Sequence, residues 1–421
     1  MRFETNQISN GVNQKFLTGQ AIILVAGESS RFWPLNHGHK SQIKLLGRPL
    51  IFWTIKKLAE NGVKDIAVIV SPDSTLKEEL KNVSGDLNIK LSYFIQERPL
   101  GTGDAIFLAK DFIKEPFFIL WGAEVSVEET IVKILEKYQS GKPGAVLVGA
   151  KTRTPWDYGI FKLDQERILE IVENPKSGQE PSNIKVVGTY FLEPVFFDYY
   201  QKLTKHHEAD FVDALNLYLK DKKSELILLQ KDTPSLKYPW NLLEISKIML
   251  ESESFQNYIS PSATIGEGVV IKGKVYIGDH CEIGDHNVLR GPLNLENGVK
   301  TGAFFEIKNS VVQEDAHFHS GYVGDSVIGK DCRLGAGFIT ANRRTDRNNI
   351  KSTVRKEKID TGLTYLGVMV GQNTRFGIHS GTMPGILIGS NCTVGPGTLV
   401  FENLEDDATF YTKFEKVVKK N

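Results

Sequence analysis

The chain is poor in three things: net charge, long apolar runs and cysteine. Lys plus Arg equals Asp plus Glu at 51 each, so no global charge points to nucleic acid or to an anionic membrane surface. No apolar stretch is long enough to span a bilayer, and the opening MRFETNQISNGVNQKFLTG lacks the apolar centre of a signal peptide. These absences lead us to expect a soluble protein of a reducing, cytoplasmic compartment. At 421 residues there is room for two or three compact domains.

What the chain has instead is an aliphatic residue at every sixth position over residues 259–400. Ile259, Ile265, Ile271, Ile277, Ile283, Leu289 and Leu295 form one series, and Val370, Phe376, Thr382, Ile388, Val394 and Val400 nearly complete a second. A helix repeats near 3.6 residues and a half-buried strand near 2, so a period of six indicates the stacked short strands of a β-helix prism. Gly266, Gly278, Gly284, Gly329, Gly335, Gly389 and Gly395 follow the aliphatics and suit tight corners. The three cysteines, Cys281, Cys332 and Cys392, share one slot two places before an inward residue. That placement favours small core hydrophobes over disulfides, metal ligands or nucleophiles.

The first part of the chain has a different pattern. AIILVAG, from Ala21, is the continuous apolar run of a central parallel strand, and it feeds a loop over residues 27–35. Residues 50–61 read as an amphipathic helix stopped at Asn61-Gly62, followed by DIAVIV, PFFIL, a helix near 128–138 and a strand near 145–149. This alternation predicts a doubly wound α/β domain over 1–256, with a connector helix at about 241–256 and a β-helix over 257–421. Within the prism, residues 341–365 are basic, lack the aliphatic returns and must loop out. Such a loop is a candidate phosphate clamp or simply a solvated loop. The tail, 405–421, reads as a short edge element or a frayed end.

AGESSRFWPL, His39-Lys40 with LGRPL, Gln96 with Leu100-Gly101-Thr102, IVENPK and then a hexapeptide prism together resemble one family. It is the bifunctional N-acetylglucosamine-1-phosphate uridylyltransferases and glucosamine-1-phosphate N-acetyltransferases. The resemblance covers nearly all of residues 21–400. It implies a Rossmann-like nucleotidyltransferase domain, a left-handed parallel β-helix acyltransferase domain, a homotrimer, and acetyl-CoA as acyl donor.

In the second domain, LRGPLNLENGVKTGAFFEIK resembles the family's acceptor motif and supplies Arg290, Glu306 and Lys308. HSGYVGDSVIG resembles the segment with the catalytic histidine, which assigns His319 as base with Tyr322 beside the acceptor. GAGFITAN supplies Ala336, whose backbone N–H the resemblance aims at the thioester oxygen, and Asn342. The chemistry calls for these types: an amino sugar attacks a thioester only as the free amine, and histidine takes up a proton near neutral pH. Arg290 and Lys308 are permanent cations for a sugar phosphate. Arg333 stands where the family has Asn, which leaves the acceptor's identity open, and His317 is read as structural.

The first domain keeps Gly27 and Arg31 of the phosphate loop, Lys40, the base-contacting Gln96, Gly101 and Thr102, and Glu173 of the sugar-binding motif. It lacks much else. Ser29 replaces a loop glycine, Val186 replaces a sugar-contacting Asn, and Ala123 and Ser235 occupy the positions of the two metal-binding Asp residues. Mg²⁺ at such sites is usually held by one or two carboxylates together with substrate phosphates. Glu124 is adjacent, but strand alternation would turn it away from Ala123.

Three readings follow. The first is an acetyl-CoA-dependent N-acetyltransferase on an amino-sugar-1-phosphate with an impaired nucleotidyltransferase-like domain, without a metal. The second is a fully bifunctional enzyme that also uses UTP or dTTP with Mg²⁺. The third is a catalytically silent regulatory subunit of a nucleotidyltransferase.

Overall fold

The computed structural model describes residues 19–125, 127–230 and 234–419. In the first domain the main sheet runs Ser224–Leu229, Ala145–Lys151, Ile184–Leu192, Phe117–Trp121, Gln20–Val25, Asp65–Val70 and Lys90–Ile95 in spatial order. Ile184–Leu192 is antiparallel to both of its neighbours, and the other pairs along this path are parallel. Gln20–Val25 is central, with Ala21, Ile23 and Val25 buried on one face and Ile22 and Leu24 on the other. Burial on both faces is why its sequence reads as an unbroken apolar run. The helix Leu50–Glu60 buries Ile51, Ile55 and Leu58 on one sheet face.

The second domain is a left-handed parallel β-helix with three faces, each coil occupying three hexapeptides. One face stacks Tyr258–Ile259, Val275–Ile277, Leu293–Leu295, Val311–Val312, Val327–Ile328, Met369–Val370 and Leu387–Ile388. Ile277, Ile283, Leu289 and Leu295 are buried in its interior. Ile259 and Ile265 depart from the inward reading and are 40% and 37% exposed. The reason is that they belong to the first coil, which has a neighbour on one side only. Corners are turned by His280, His286, Asp331, Asn373, His379 and Asn391, all with φ between 53° and 60°. These polar types reach the left-handed region more readily than other non-glycine residues. All three cysteines are buried and free. Burial pushes the Cys281 and Cys332 thiols up to about 11 and about 12, so they act as core side chains.

The basic segment 341–365 leaves the prism between the rung Val327–Ile328 and its next neighbour Met369–Val370. It is not an irregular loop. Lys351–Val354 and Glu357–Asp360 form an antiparallel hairpin, turned by Arg355 and Lys356 at φ 50° and 68°. At the other end Thr409–Phe410 pairs with Thr393–Val394, and no regular element follows among residues 411–419.

The two domains share a core. Phe32, Leu35, Leu45, Trp240 and Leu243 of the first pack with outward-facing Val311, Val327, Met369 and Leu387 of one prism face and with Ile350, Val354 and Leu366 of the insertion. The helix Asn241–Leu250 lies against Leu293–Leu295 and Val311–Val312. Around this core Leu46 N–H donates to Asn294 Oδ1 (2.9 Å), Gly47 N–H to Glu296 Oε1 (3.2 Å) and Gln313 Nε2 to the Lys44 carbonyl (3.0 Å), and Lys44 pairs with Glu314.

Candidate active sites

On the second domain, Val288–Arg290, Phe305–Lys308 and His317–Gly324 stack in parallel register. Arg290 lies beside Lys308, Lys308 beside Gly324, and Glu306 beside Tyr322. The polar side chains of these rungs form an ion pair and, beside it, a hydrogen-bonded network. Arg290 Nη1 is 2.7 Å from Glu306 Oε1, and Lys308 Nζ is 3.1 Å from Asp325 Oδ2. Asn342 Nδ2 donates to Tyr322 Oη (2.9 Å) and to Asp325 Oδ2 (2.6 Å), and Asn309 Nδ2 donates to Asp325 Oδ1 (2.6 Å). The Lys308 ammonium also sits 4.6 Å from the Tyr365 ring centroid, with Arg343 4.7 Å from the same ring. Gly324 makes room for all this, because a Cβ there would come within 2.2 Å of Tyr322 Oη and 2.8 Å of Asn342 Nδ2. Burial together with Asp325 and Glu306 pushes the Tyr322 hydroxyl above its ordinary value, so it stays protonated.

The structure therefore brings together Arg290, Lys308, Tyr322 and Asn342. It adds two residues that the sequence reading missed. Asp325 is buried and joins Lys308, Asn309 and Asn342, but a Gly-Asp corner in a repeat full of such corners gave no signal. Tyr365 ends the insertion, where only its distance in sequence hid it.

His319 is exposed on the same strand as Tyr322, and its imidazole has no hydrogen-bond partner among the described residues. Gly302 in the coil below gives it space, since a Cβ there would meet the His319 carbonyl at 2.2 Å. Ala336 lies on the next rung, opposite Ser320. Arg333 is placed elsewhere, in register with His317, and bonds Asp331 (3.0 Å) and the Asp315 carbonyl (3.3 Å) instead of joining the Lys308 network. Burial, Arg333 and Lys300 hold His317 below its ordinary value, so it stays neutral. A larger cavity of about 820 Å³ borders the insertion at Arg343, Arg344, Lys358, Met383 and Phe401, and no predicted site residue lines it.

On the first domain, Glu28, Ser29, Ser30, Arg31, Phe32, Lys40, Lys237 and Arg355 line a cavity of about 290 Å³. A second, of about 230 Å³, is lined by Lys40, Ala123, Glu124, Lys185, Val186 and Ser235 among others. Ser29 thus lines one pocket, while Ala123, Val186 and Ser235 converge on the other. Glu124 faces it too, contrary to the alternation argument. Its strand, Phe117–Trp121, has already ended, and a turn carries Ala123 and Glu124. Burial lowers the Lys40 pKa and Arg31 lowers it further, while the nearby Glu124 opposes both. Lys40 Nζ donates to the Leu236 carbonyl (2.8 Å), and Ser29 Oγ accepts from Lys40 N–H (3.1 Å), so Ser29 ties the loop to Lys40.

Gln96 is buried and spends its amide donors on the Gly101 carbonyl (3.1 Å) and Asp104 Oδ2 (2.8 Å), which leaves its carbonyl oxygen for a ligand. Gly101, at φ 117°, precedes the helix Thr102–Phe107, and a Cβ there would lie 2.9 Å from Glu208 Cα. Nothing stands within 4 Å of a Cβ at Gly27. Glu173 ends the strand Arg167–Glu173, opposite Gly159. Glu124 is the carboxylate that lines the pocket with Ala123 and Ser235, so a divalent ion there would be held by it together with substrate phosphates. Glu124 has the ammonium of Lys40 as a neighbour, and among the described residues no cluster of three or more His, Cys, Asp or Glu could hold a metal ion.

The Nucleotidyl transferase family model matches residues 20–241. A bifunctional sugar-1-phosphate nucleotidylyltransferase/acetyltransferase of Sulfurisphaera tokodaii is 33% identical over 404 residues, covering 90% of this chain and 97% of its own. The bifunctional protein GlmU of Methanococcus maripaludis strain C7 is 31% identical over 419 residues, 95% of this chain and 99% of its own. That of Methanocaldococcus jannaschii is 29% identical over 424 residues, 95% and 99%. No helix among the described residues is long and apolar enough to cross a membrane. An α/β domain of the first kind followed by a β-helix, matched over almost the whole length of such relatives, makes this chain a transferase of the Nucleotidyl transferase family, in its bifunctional nucleotidyltransferase/acetyltransferase branch.

Proposed function

We propose that the second domain transfers an acetyl group from acetyl-CoA to the amine of an amino-sugar-1-phosphate of the glucosamine-1-phosphate type, on the way to UDP-N-acetylglucosamine. The observation that carries this reading is the Lys308–Asp325–Asn342–Tyr322 network on the strand stack that also presents His319. His319 takes the proton from the amine as its lone pair attacks the thioester carbonyl. The Ala336 N–H faces the resulting oxyanion. Collapse breaks the C–S bond, and the proton held on the imidazole passes to the departing CoA sulfur. Arg290 and Lys308 hold the sugar phosphate, and both carry carboxylate partners that moderate their charge until it arrives. The working assembly on this reading is a cytoplasmic homotrimer built on the prism.

The first domain binds a nucleotide with little or no transfer, because Ala123 and Ser235 supply no carboxylate to the pocket that Val186 also lines. The test is a paired assay on one sample. CoA should be released from acetyl-CoA with glucosamine-1-phosphate, and no pyrophosphate from UTP with N-acetylglucosamine-1-phosphate. Absence of CoA release would refute the reading.

A second reading, transfer at both sites, is favoured by Glu124 facing the first-domain pocket and by the two activities named for the Sulfurisphaera tokodaii relative. Mg²⁺-dependent pyrophosphate release from UTP or dTTP would establish it.

A further inference from the structure

The insertion 341–365 touches both sites. Its first residues include Asn342, bonded to Tyr322 and Asp325, and its last is Tyr365, whose ring lies beside Lys308. Between them, the hairpin carries Arg355 across the domain boundary to donate to Ser30 Oγ on the first domain's loop. The hairpin is fastened there. Ile350 and Val354 are buried in the same cluster as Phe32, which neighbours Arg31, and Asn403 Nδ2 donates to the Thr353 carbonyl (2.8 Å).

The cavity at this meeting point has four cations, Arg31, Lys40, Lys237 and Arg355, against one acid, Glu28. Burial lowers the pKa of both Lys40 and Lys237; Glu124 opposes this at Lys40 and Asp157 at Lys237, while Arg31 adds to the lowering at both, as expected of cations crowded together. Four cations against one lining carboxylate favour a polyanion. The turn that presents Arg355 reinforces this. Both central residues lie in the left-handed region, where Asn-Gly is the favoured pair, yet the tip keeps Arg-Lys.

We propose that Arg355, supplied by the second domain, completes a site for the diphosphate or triphosphate chain of a nucleotide on the first domain, and that occupancy of this site holds the insertion and with it the acetyl-acceptor pocket. The nucleotide part rests on the reading of the first domain as a nucleotide binder; the interdomain cation does not.

Calorimetry on the full chain with UTP, UDP-N-acetylglucosamine and inorganic pyrophosphate tests the site. Arg355→Ala should weaken binding about ten-fold, the scale of one lost charge-assisted hydrogen bond, and Arg355→Lys should fall between. A triphosphate preference would mark a substrate-side ligand and a UDP-sugar preference a product-side one; each supports the site. Equal affinities in wild type and Arg355→Ala, or no binding of any of the three, overturns it. Hydrogen exchange tests the coupling without any activity. Ligand should protect amides of 350–360 in wild type and fail to do so in Arg355→Ala. Unchanged exchange in liganded wild type overturns the coupling. Loss of CoA release with this protection intact would refute only the acetyl-transfer reading.

Discussion

Glu296 gives a prediction that can be worked through from the structure. Its side chain is buried at the domain boundary, where Oε1 accepts from Asn294 Nδ2 (2.9 Å) and Gly47 N–H (3.2 Å) and Oε2 has no partner among the described residues. Desolvation pushes the carboxyl from its ordinary 4.5 up to about 7; the two hydrogen bonds and Lys44 oppose this, while Glu314 adds to it. Because the folded pKa is raised, folding carries no penalty below about pH 4.5, where the acid is neutral in both states. Stability then falls as pH rises from about 4.5 to about 7 and stays level, at the lower value, above that. At roughly 1.4 kcal/mol for each pH decade the full cost is about 3 kcal/mol, an upper figure because a buried site relaxes around its charge. Glu296→Gln keeps the acceptor and cannot ionise. Thermal unfolding of both proteins at pH 5 and pH 8.5 isolates the effect, because other titrating groups cancel in the difference. The variant should exceed wild type by less than about 1 kcal/mol at pH 5 and melt several degrees higher at pH 8.5. A difference independent of pH, or a less stable variant at pH 8.5, would show that Glu296 is not ionising in a desolvated site.

The other predictions concern the two sites and the prism. His319→Ala should lower kcat for CoA release by roughly 10² to 10⁴ with glucosamine-1-phosphate affinity nearly unchanged; wild-type turnover would remove it as base. Asp325→Ala should raise KM for the acceptor and lower stability by roughly 1–3 kcal/mol, since Lys308, Asn309 and Asn342 all lose a buried partner. Both denaturant midpoint and steady-state kinetics read this. Leu289→Ala, inside the prism, should cost about 2–5 kcal/mol in a denaturation series. The double substitution Ala123→Asp with Ser235→Asp should create or increase Mg²⁺-dependent pyrophosphate release from UTP, and no gain would mean that the missing carboxylates are not what limits the first domain.

What the sequence disclosed followed how strictly each position is patterned. The central strand was legible because burial on both faces allows only apolar residues from Ala21 to Val25, and the prism because every third strand must present an inward side chain at the same step. The hairpin in the insertion was not, because its turn uses Arg355-Lys356 in place of a Gly or Asn signal. The domain contact was hidden for another reason. Val311, Val327, Met369 and Leu387 lie on outward positions, where isolated hydrophobic residues are common and carry no message alone. Glu124 was misplaced because the alternation of a strand was extended into a turn.

On the proposed reading, neutral Ala123 and Ser235 beside the first domain's cations have a consistent physical meaning. A divalent metal bridging phosphate oxygens neutralises charge that develops as a nucleotidyl group moves, and it does so at the reacting centre. Lys40 and Lys185 line the pocket where Ala123 and Ser235 stand, and Arg31, Lys237 and Arg355 continue the cationic surface next to it. Fixed ammonium and guanidinium groups attract the phosphate chain whether or not a metal is present, so they support binding by themselves. On the proposed reading, a pocket that keeps these cations and lacks the two Asp residues is therefore suited to retaining a nucleotide. On that reading, the second domain, whose proposed acetyl-acceptor pocket shares the insertion with this one, is in a position to respond to what is retained there.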